Sequence, residues 1–285
     1  MIAEYPSSVA IETSLTCQGR CIMCANHELQ KYNVRPQLIS EVLVYHILDQ
    51  ISKWPTPVSI TYSHYGEPLM HPKLADFMRK AKDTIGSRLT QQAIFTNGAL
   101  LTVDKFRELV DAGMNYCSVS LDGFTKETYE SIRLGLNYDT VVGNLMSCAK
   151  VKLDENLPVH LRTHMVYGEL NHGEVNEFLT FWRQYPGIDS ASCLPDDGRG
   201  TGEPFEDNST ETACSSPFSC IFVLTSGDCV QCCQDIHASY ILGNAFETSL
   251  HNIWNGERYK FVRKAHKDGK KRVLLEACRA CAIHY

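Results

Sequence analysis

Residues 8–24 read SVAIETSLTCQGRCIMC, a strand-length apolar run followed by a loop that carries three cysteines. Cys17, Cys21 and Cys24 have the spacing C-x3-C-x2-C. Thiolates this close together can bind three irons of a cubane cluster, which leaves the fourth iron without a protein ligand. A metal with an open coordination position can bind and activate a substrate. The motif therefore predicts a catalytic iron–sulfur site, and a zinc knuckle with His27 as fourth ligand is the alternative.

Ten of the thirteen cysteines fall into two groups near the ends of the 285-residue chain, and Cys117, Cys148 and Cys193 stand alone. Three belong to the loop just quoted, and seven lie between Cys214 and Cys281. The odd number and the lack of a secretion signal at the N-terminus argue against a disulfide framework, because disulfides are rare in a reducing cytoplasm. We therefore expect a cytoplasmic protein with two thiolate sites that hold metal or carry out redox chemistry.

The composition predicts a chain with a substantial core and no strongly charged binding surface. Hydrophobic residues make up 44% and charged residues 21%, which suits about two domains at ~150 residues each. The net charge is -6 and no basic run is present, which argues against nucleic acid and anionic membranes as partners. No apolar stretch is long enough to span a bilayer.

Apolar runs and helical patterns alternate along the first two thirds of the chain. The predicted strands are Ser8–Glu12, Val58–Ser63, Gln92–Thr96, Tyr116–Leu121, Val159–Val166 and Asp189–Leu194. The predicted helices include ones capped by Ser40, Thr102 and Asn171, and a continuous helix over Ser249–Ala265. Six strand–helix units predict an α/β fold in which a parallel sheet curls into a partial (β/α)6 barrel. Chemistry in such sheets occurs at the carboxyl ends of the strands, where the first cysteine loop falls.

We predict three segments along the chain. Residues 1–195 form the barrel, residues 196–213 form a polar linker rich in Asp, Gly, Ser, Thr and Pro, and residues 214–285 form a smaller second domain.

Three further polar motifs lie at the ends of successive predicted strands. They are HYGEP at residues 64–68, TNG at residues 96–98 and SVSLDG at residues 118–123. Together with the cysteine loop, and in this order, they resemble the radical S-adenosylmethionine (radical SAM) superfamily. The resemblance extends from about Val9 to Cys281. Tyr65 stands where the family has a first glycine, so only Gly66 and Glu67 of its Gly-Gly-Glu motif match.

The resemblance implies a [4Fe-4S] cluster whose open iron is chelated by the amino and carboxylate groups of SAM. Reduction then yields a 5'-deoxyadenosyl radical, and the protein's task is to orient the reactants and exclude water. The implied cluster ligands are Cys17, Cys21 and Cys24. The implied SAM contacts are Met23, Gly66, Glu67, Thr96, Asn97, Ser118, Ser120 and Arg133.

The second cysteine group resembles the C-terminal SPASM domain, or its shorter twitch form, which binds auxiliary iron–sulfur clusters. Pro217 and Gly227 have the offsets from the cysteines that this resemblance requires. The given sequence ends four residues after Cys281, which favours the shorter form with one auxiliary [4Fe-4S] cluster. A structural zinc ribbon is the alternative. The implied auxiliary ligands are Cys214, Cys232, Cys278 and Cys281.

This arrangement resembles radical SAM dehydrogenases of aminocyclitol antibiotic biosynthesis and radical SAM epimerases. We expect a dehydrogenase that acts on a hydroxylated small molecule such as an amino sugar or cyclitol, with flavodoxin or ferredoxin as reductant. The alternative is an epimerase of a sugar or peptide residue that uses a Cys S–H hydrogen donor. The candidate base is His64, with Tyr62, Arg162 and His164 as other possibilities. The candidate donor is Cys193, with Cys220, Cys229 and Cys233 as other possibilities.

Overall fold

A large sheet carries most of the chain. The computed structural model describes residues 2–26, 37–196, 214–279 and 281. The strands in these ranges are β1 (Ser8–Ile11), β2 (Arg20–Cys21), β3 (Val58–Thr61), β4 (Leu89–Thr96), β5 (Tyr116–Ser120), β6 (Arg133–Leu134), β7 (His160–Tyr167), β8 (Ser190–Pro195), β9 (Cys220–Val223), β10 (Asp228–Val230) and β11 (Gly243–Asn244). Nine of the described strands form one sheet in the order β11-β10-β9-β1-β3-β4-β5-β7-β8, and β2 pairs with β6 in a separate ribbon.

The six strands predicted from the sequence are parallel neighbours in the order β1-β3-β4-β5-β7-β8. The helices of the described residues are α1 (Glu41–Ser52), α2 (Leu74–Ile85), α3 (Val103–Asp111), α4 (Lys126–Ile132), α5 (Tyr138–Asp154), α6 (Val175–Gln184), α7 (Ser216–Ser219), α8 (Leu250–Asn255), α9 (Glu257–Lys267), α10 (Lys271–Leu274) and α11 (Glu276–Arg279). The α/β fold with a parallel partial barrel is confirmed. His27 and residues 197–213 of the predicted linker lie outside the described residues.

The two faces of the sheet differ in polarity. Val9 and Ile11 of β1 belong to the apolar core, together with Cys117 and Val119 of β5. Helix α1 adds its apolar side to this core, and burying each large aliphatic side chain contributes roughly 1.5–3 kcal/mol. Side chains alternate between the faces of a strand, so the residues between these core positions point to the opposite, barrel-facing side.

Helix starts follow the predicted caps at two places and depart from them at a third. Ser40 Oγ accepts from Leu43 N (3.2 Å) and Thr102 Oγ1 accepts from Lys105 N (3.2 Å). The cap predicted at Asn171 is wrong, because α6 starts only after a 3-10 turn and Asn171 makes no side-chain cap bond. Asn171 Oδ1 accepts instead from Gly168 N (2.7 Å), and Nδ2 donates to the carbonyls of Asp122 (3.1 Å) and Val166 (2.9 Å).

The continuous helix predicted over Ser249–Ala265 is also wrong. Gly256 has an extended backbone (φ -72°, ψ 164°) and separates α8 from α9. Glycine is a poor helix former, and the bend places the Arg263 guanidinium 3.9 Å from the ring of Trp254 and 4.4 Å from the ring of Tyr259.

The C-terminal region joins the barrel through the sheet itself. Strand β9 pairs in parallel with β1, with Ser8 opposite Cys220. Trp254 Nε1 adds a hydrogen bond to the carbonyl of Ala3 (2.9 Å). The strand that leads into the first cysteine loop therefore also supports the second cysteine group. No helix of the described ranges combines the length and apolar character needed to cross a membrane.

Candidate active site

The first cysteine loop leaves β1 and runs along the β2–β6 ribbon, where Cys21 pairs with Arg133. The Cys24 amide donates to the Cys21 carbonyl (3.0 Å), which closes a tight turn. Asn97 Nδ2 lies 3.6 Å from Cys17 Sγ. The pKa of Cys17 is raised to about 11, mainly by burial, with smaller contributions from the charges of Glu67 and the other two cysteines. The three predicted cluster ligands are therefore neighbours on one loop.

The loop after β3 packs directly on the cysteine loop. A Cβ atom on Gly66 would lie 2.1 Å from the Ser14 carbonyl oxygen, so only glycine fits at this close approach. The Glu67 amide donates to the Thr16 carbonyl (2.8 Å) one residue before Cys17. This contact fixes the position of Glu67 relative to the cysteines.

The Glu67 carboxylate is buried, and the TNG motif of residues 96–98 holds it. Its Oε1 accepts from Thr96 Oγ1 (2.7 Å) and Leu69 N (3.1 Å), and its Oε2 accepts from Asn97 N (2.8 Å). Burial raises the pKa of Glu67, and these hydrogen bonds lower it in part. A carboxylate oxygen can accept two hydrogen bonds, so Oε2 has capacity for an ammonium group.

Arg133 forms a buried ion pair beside the cysteine loop. Its Nε (2.8 Å) and Nη2 (2.6 Å) both donate to Asp122 Oδ2, while Asp122 Oδ1 accepts from Val166 N (2.7 Å). Burial opposes the charge of Arg133, but the Asp122 and Cys21 charges together raise the pKa of Arg133 above its usual value. Burial raises the pKa of Cys21, and the charge of the Arg133 guanidinium opposes part of this rise.

Ser118 and Ser120 lie on the barrel-facing side of β5, and one histidine of β7 bridges them. Ser118 Oγ is 3.0 Å from His164 Nδ1, and Ser120 Oγ is 3.2 Å from His164 Nε2. Further along β7, Arg162 Nη1 donates to Tyr116 Oη (3.0 Å) on the same side. The barrel interior is therefore lined with hydrogen-bonding groups. Met23 lies in the turn between Cys21 and Cys24.

A buried carboxylate–imidazole pair lies at the carboxyl end of β1. His64 Nδ1 donates to Glu12 Oε1 (3.3 Å), and Glu12 Oε2 accepts from Thr225 N (3.2 Å). The two side chains are 0% (Glu12) and 4% (His64) exposed. His64 Nε2 is buried and has no hydrogen-bond partner in the described part of the chain. Sequence reasoning identified His64 but missed Glu12, whose signal was an acidic residue directly after an apolar strand.

This pair faces the barrel interior. Val9 and Ile11 face the core, so Glu12 continues the opposite side of β1 together with Ala10. The His64 ring contacts Phe222 (centroids 5.7 Å apart), which pairs with Ala10 across β9 and β1. The next residue, Tyr65, donates its hydroxyl to the Cys233 carbonyl. His64 therefore lies between the two cysteine groups.

Cys193 lies on the other face of the sheet. It pairs with Met165, which is fully buried in the core, whereas its neighbour Ser192 accepts a hydrogen bond from Arg162 on the barrel side. Burial raises the pKa of Cys193, and Arg183 of the helix layer lowers it. This position does not suit a hydrogen donor to a substrate in the barrel, because alternate side chains of a strand point away from each other.

The four predicted auxiliary ligands line one cavity in the C-terminal region. The cavity also includes Cys233 but not Cys220 or Cys229, and Cys229 is fully buried in the core. Burial raises the pKa of Cys278 to about 12, and the neighbouring Lys271 lowers it. The four predicted ligands in this lining are Cys214, Cys232, Cys278 and Cys281, and Cys233 is a fifth cysteine beside them.

Both cysteine groups suit iron–sulfur clusters. Two residues that line the second cavity, Gln231 and His266, carry buried polar atoms without a hydrogen-bond partner among the described residues. These atoms are Gln231 Nε2, Gln231 Oε1 and His266 Nδ1. The sulfide and thiolate sulfurs of a cluster accept hydrogen bonds, so donors here fit that group. The described side chains form no group of three or more His, Cys, Asp or Glu that fits a single metal ion. Cluster ligands need no such convergence, because each thiolate binds a different iron.

Comparison with known families identifies both regions. The family model of the radical SAM superfamily matches residues 11–181, which is more than half of the chain. The chain belongs to the radical SAM superfamily. A second family model, an iron–sulfur cluster-binding domain named SPASM, matches residues 214–282. This radical SAM enzyme therefore uses SAM and a [4Fe-4S] cluster, and its SPASM domain implies auxiliary iron–sulfur binding.

Two curated relatives align with nearly the whole radical SAM chain. A tungsten-containing aldehyde ferredoxin oxidoreductase cofactor-modifying protein of Pyrococcus furiosus is 23% identical and covers 96% of this chain and 86% of its own length. An S-adenosyl-L-methionine-dependent 2-deoxy-scyllo-inosamine dehydrogenase of Niallia circulans is 21% identical and covers 96% of this chain and 92% of its own. Both relatives therefore match the barrel and the C-terminal region together.

Solved structures show the same fold. The crystal structure of BtrN in complex with AdoMet and 2-DOIA has a TM-score of 0.67 and 18% identity, and covers 99% of this chain and 95% of that one. A structure of anSMEcpe with bound AdoMet has a TM-score of 0.72 and 14% identity, and covers 97% of this chain and 86% of that one.

Proposed function

We propose that this radical SAM enzyme is a dehydrogenase that oxidises a secondary alcohol of an amino sugar or cyclitol to a ketone. Three features support this choice: the similarity to the 2-deoxy-scyllo-inosamine dehydrogenase, the four cysteines around one C-terminal cavity, and the buried Glu12–His64 pair. The third feature carries the proposal, because alcohol oxidation requires a base for the hydroxyl proton.

The first site binds and orients the cofactor. Cys17, Cys21 and Cys24 hold the cluster, and Glu67 Oε2 accepts from the methionyl ammonium of SAM. When bound and reduced, SAM supplies the 5'-deoxyadenosyl radical that removes a hydrogen atom from the substrate carbon. Met23, Thr96, Asn97, Ser118, Ser120 and Arg133 complete the proposed contacts with the cofactor. A flavodoxin or ferredoxin supplies the electron that reduces this cluster.

His64 acts as the base. Its Nε2 accepts the hydroxyl proton of the substrate. Its Nδ1–H stays hydrogen-bonded to the Glu12 carboxylate, and this bond fixes the tautomer and the orientation of the ring. The carbon has then lost a hydrogen atom and the oxygen a proton, so one electron remains to be removed. The four C-terminal cysteines would hold one auxiliary [4Fe-4S] cluster, which would supply an acceptor for that electron. The step then balances with a ketone, 5'-deoxyadenosine, methionine, a proton on His64 Nε2, an oxidised first cluster and an auxiliary cluster reduced by one electron.

The alternative is an epimerase, which needs a thiol on the barrel side. Cys193 faces the core, and Cys229 is buried within it. Cys233 lines the auxiliary cavity and is the spare cysteine that best suits a donor role. The buried Glu12–His64 pair and the similarity to a dehydrogenase favour oxidation over epimerisation.

Product analysis tests the proposal. The anaerobically reconstituted enzyme is given SAM, dithionite and 2-deoxy-scyllo-inosamine, with a panel of amino sugars and cyclitols beside it. We expect 5'-deoxyadenosine together with a ketone that lacks two hydrogen atoms of the substrate. In deuterated water, a product with an unchanged skeleton and one deuterium at an inverted carbon would instead establish the epimerase.

A further inference from the structure

The auxiliary cavity contains two buried basic side chains besides its cysteines. Lys271, at the start of α10, is 7% exposed and lines the cavity. His266, in the last turn of α9, is 4% exposed and lines it as well. His266 Nε2 lies 3.8 Å from Cys278 Sγ, within range of a hydrogen bond to sulfur. One positive charge and one N–H donor therefore face the same group of thiols.

Both groups are expected to raise the reduction potential of a cluster bound in this cavity. The reduction potential of an iron–sulfur cluster depends on its net charge, the hydrogen bonds to its sulfurs and its exposure to solvent. Reduction adds one negative charge, so a nearby ammonium and an N–H···S hydrogen bond stabilise the reduced state more than the oxidised one. Both groups act in a buried, poorly screened position, where charges interact more strongly than in water.

We propose that Lys271 and His266 raise the reduction potential of the auxiliary cluster and thereby make it an electron acceptor. This inference rests on the proposed function, in which that cluster takes one electron from the substrate.

The opposing charge in this region is Asp235, which is 2% exposed. Its carboxylate accepts hydrogen bonds from Ser239 N and Oγ (both 2.7 Å) and so is held by neutral donors. Burial is the main cause that raises the pKa of Cys278; the charge of Lys271 opposes this rise, and that of Asp235 adds to it.

A redox titration of the auxiliary cluster tests the proposal. The full-length chain carries Cys17→Ala, Cys21→Ala and Cys24→Ala, so that the electron paramagnetic resonance signal comes from the auxiliary cluster alone. In this background, Lys271→Met is compared with Lys270→Met, which removes an exposed lysine from the adjacent position. We expect about tenfold less reduced cluster at a fixed potential for K271M, equivalent to ~59 mV, and no change for K270M.

Two further variants keep the test decisive if K271M loses iron. Lys271→Arg retains the charge and is expected to retain the potential, and His266→Leu is expected to lower it by a smaller amount. The inference would be overturned if the triple-alanine background, its H266L variant and every K271 variant that retains a cluster had equal reduction potentials. A triple-alanine background that binds no iron would overturn it as well. Wild-type turnover to a ketone, measured separately, decides the proposed function, so the two failures are distinguishable.

Discussion

The two cysteine groups have the same type of side chain but different surroundings. The first lies on a loop whose neighbours are the polar ends of parallel strands, and Glu67, Thr96 and Asn97 surround it with hydrogen-bonding groups. The second lines a cavity between short helices and the segment that follows β10. Three thiols beside a polar cradle suit a cluster that binds a ligand, whereas four thiols in a closed cavity suit a cluster that only exchanges electrons.

Removing one cysteine from each group should separate two activities, and this is the largest expected effect. Cys21→Ala should abolish both SAM cleavage and product formation, because the first cluster loses a ligand. Cys278→Ala should keep dithionite-driven formation of 5'-deoxyadenosine but lose ketone formation. Iron content, 5'-deoxyadenosine and product are measured together.

The matched control for these variants is Cys193→Ala, on the core-facing side of β8. It should retain both activities. SAM cleavage that survives C21A would contradict the assignment of the first group, and ketone formation that survives C278A would contradict the role of the second.

The base lies between the two groups, and its removal should have the next largest effect. His64→Gln should lower the rate of ketone formation by about 10²–10⁴-fold, since general acid–base catalysis contributes that much. Glu12→Gln should cause a smaller loss, because it removes the charge that orients the imidazole but keeps a hydrogen-bond acceptor. Single-turnover ketone formation is measured at saturating SAM.

His172→Gln, on an exposed turn, is the control for the histidine variant. Substrate-independent SAM cleavage should stay near the wild-type rate in H64Q and E12Q. A H64Q rate of ketone formation equal to wild type would show that another group, such as Arg162 or His164, takes the proton.

A buried ion pair, Arg133–Asp122, lies beside the first group. Arg133→Met leaves Asp122 buried without its counter-ion and should lower the free energy of unfolding by about 3–5 kcal/mol. The double variant R133M/D122L should recover most of that loss, since it removes both charges. Urea unfolding at equal iron content measures both. A single variant as stable as wild type would mean that Asp122 finds another donor.

The sequence predicted what local spacing determines. The cysteine loop, the motifs after β3, β4 and β5, and the six-strand order all follow from residues close together in the chain. Glu12 was not predicted, because its partner His64 lies 52 residues away and its third contact, Thr225, depends on the pairing of β9 with β1.

The errors have physical causes as well. Cys193 was proposed as a hydrogen donor because it lies near the end of a predicted strand. The side of the sheet on which its side chain lies depends on the register of that strand, and a shift of one residue reverses that side. At Asn171 the capping prediction failed because the oxygen that would cap the helix, Oδ1, accepts from the Gly168 amide (2.7 Å) instead. Gly256 ended a helix whose apolar pattern continued beyond it.

The smallest expected effect concerns the charge that holds the cofactor at the first site. Glu67→Gln should weaken SAM binding by about 10–100-fold, since a hydrogen bond between charged groups contributes roughly 1.5–3 kcal/mol. Burial raises the pKa of Glu67, so acidification should protonate it at a pH above the ordinary glutamate value of about 4.3 and weaken SAM binding there. Calorimetric titration of SAM at several pH values measures both effects, within the pH range where iron content is constant. The exposed Glu169→Gln is the control and should retain the wild-type affinity and its decline on acidification, whereas E67Q should bind weakly at every pH. An acid-dependent loss of affinity that persists unchanged in E67Q would assign the titrating group elsewhere and remove Glu67 from the proposed contacts with the ammonium.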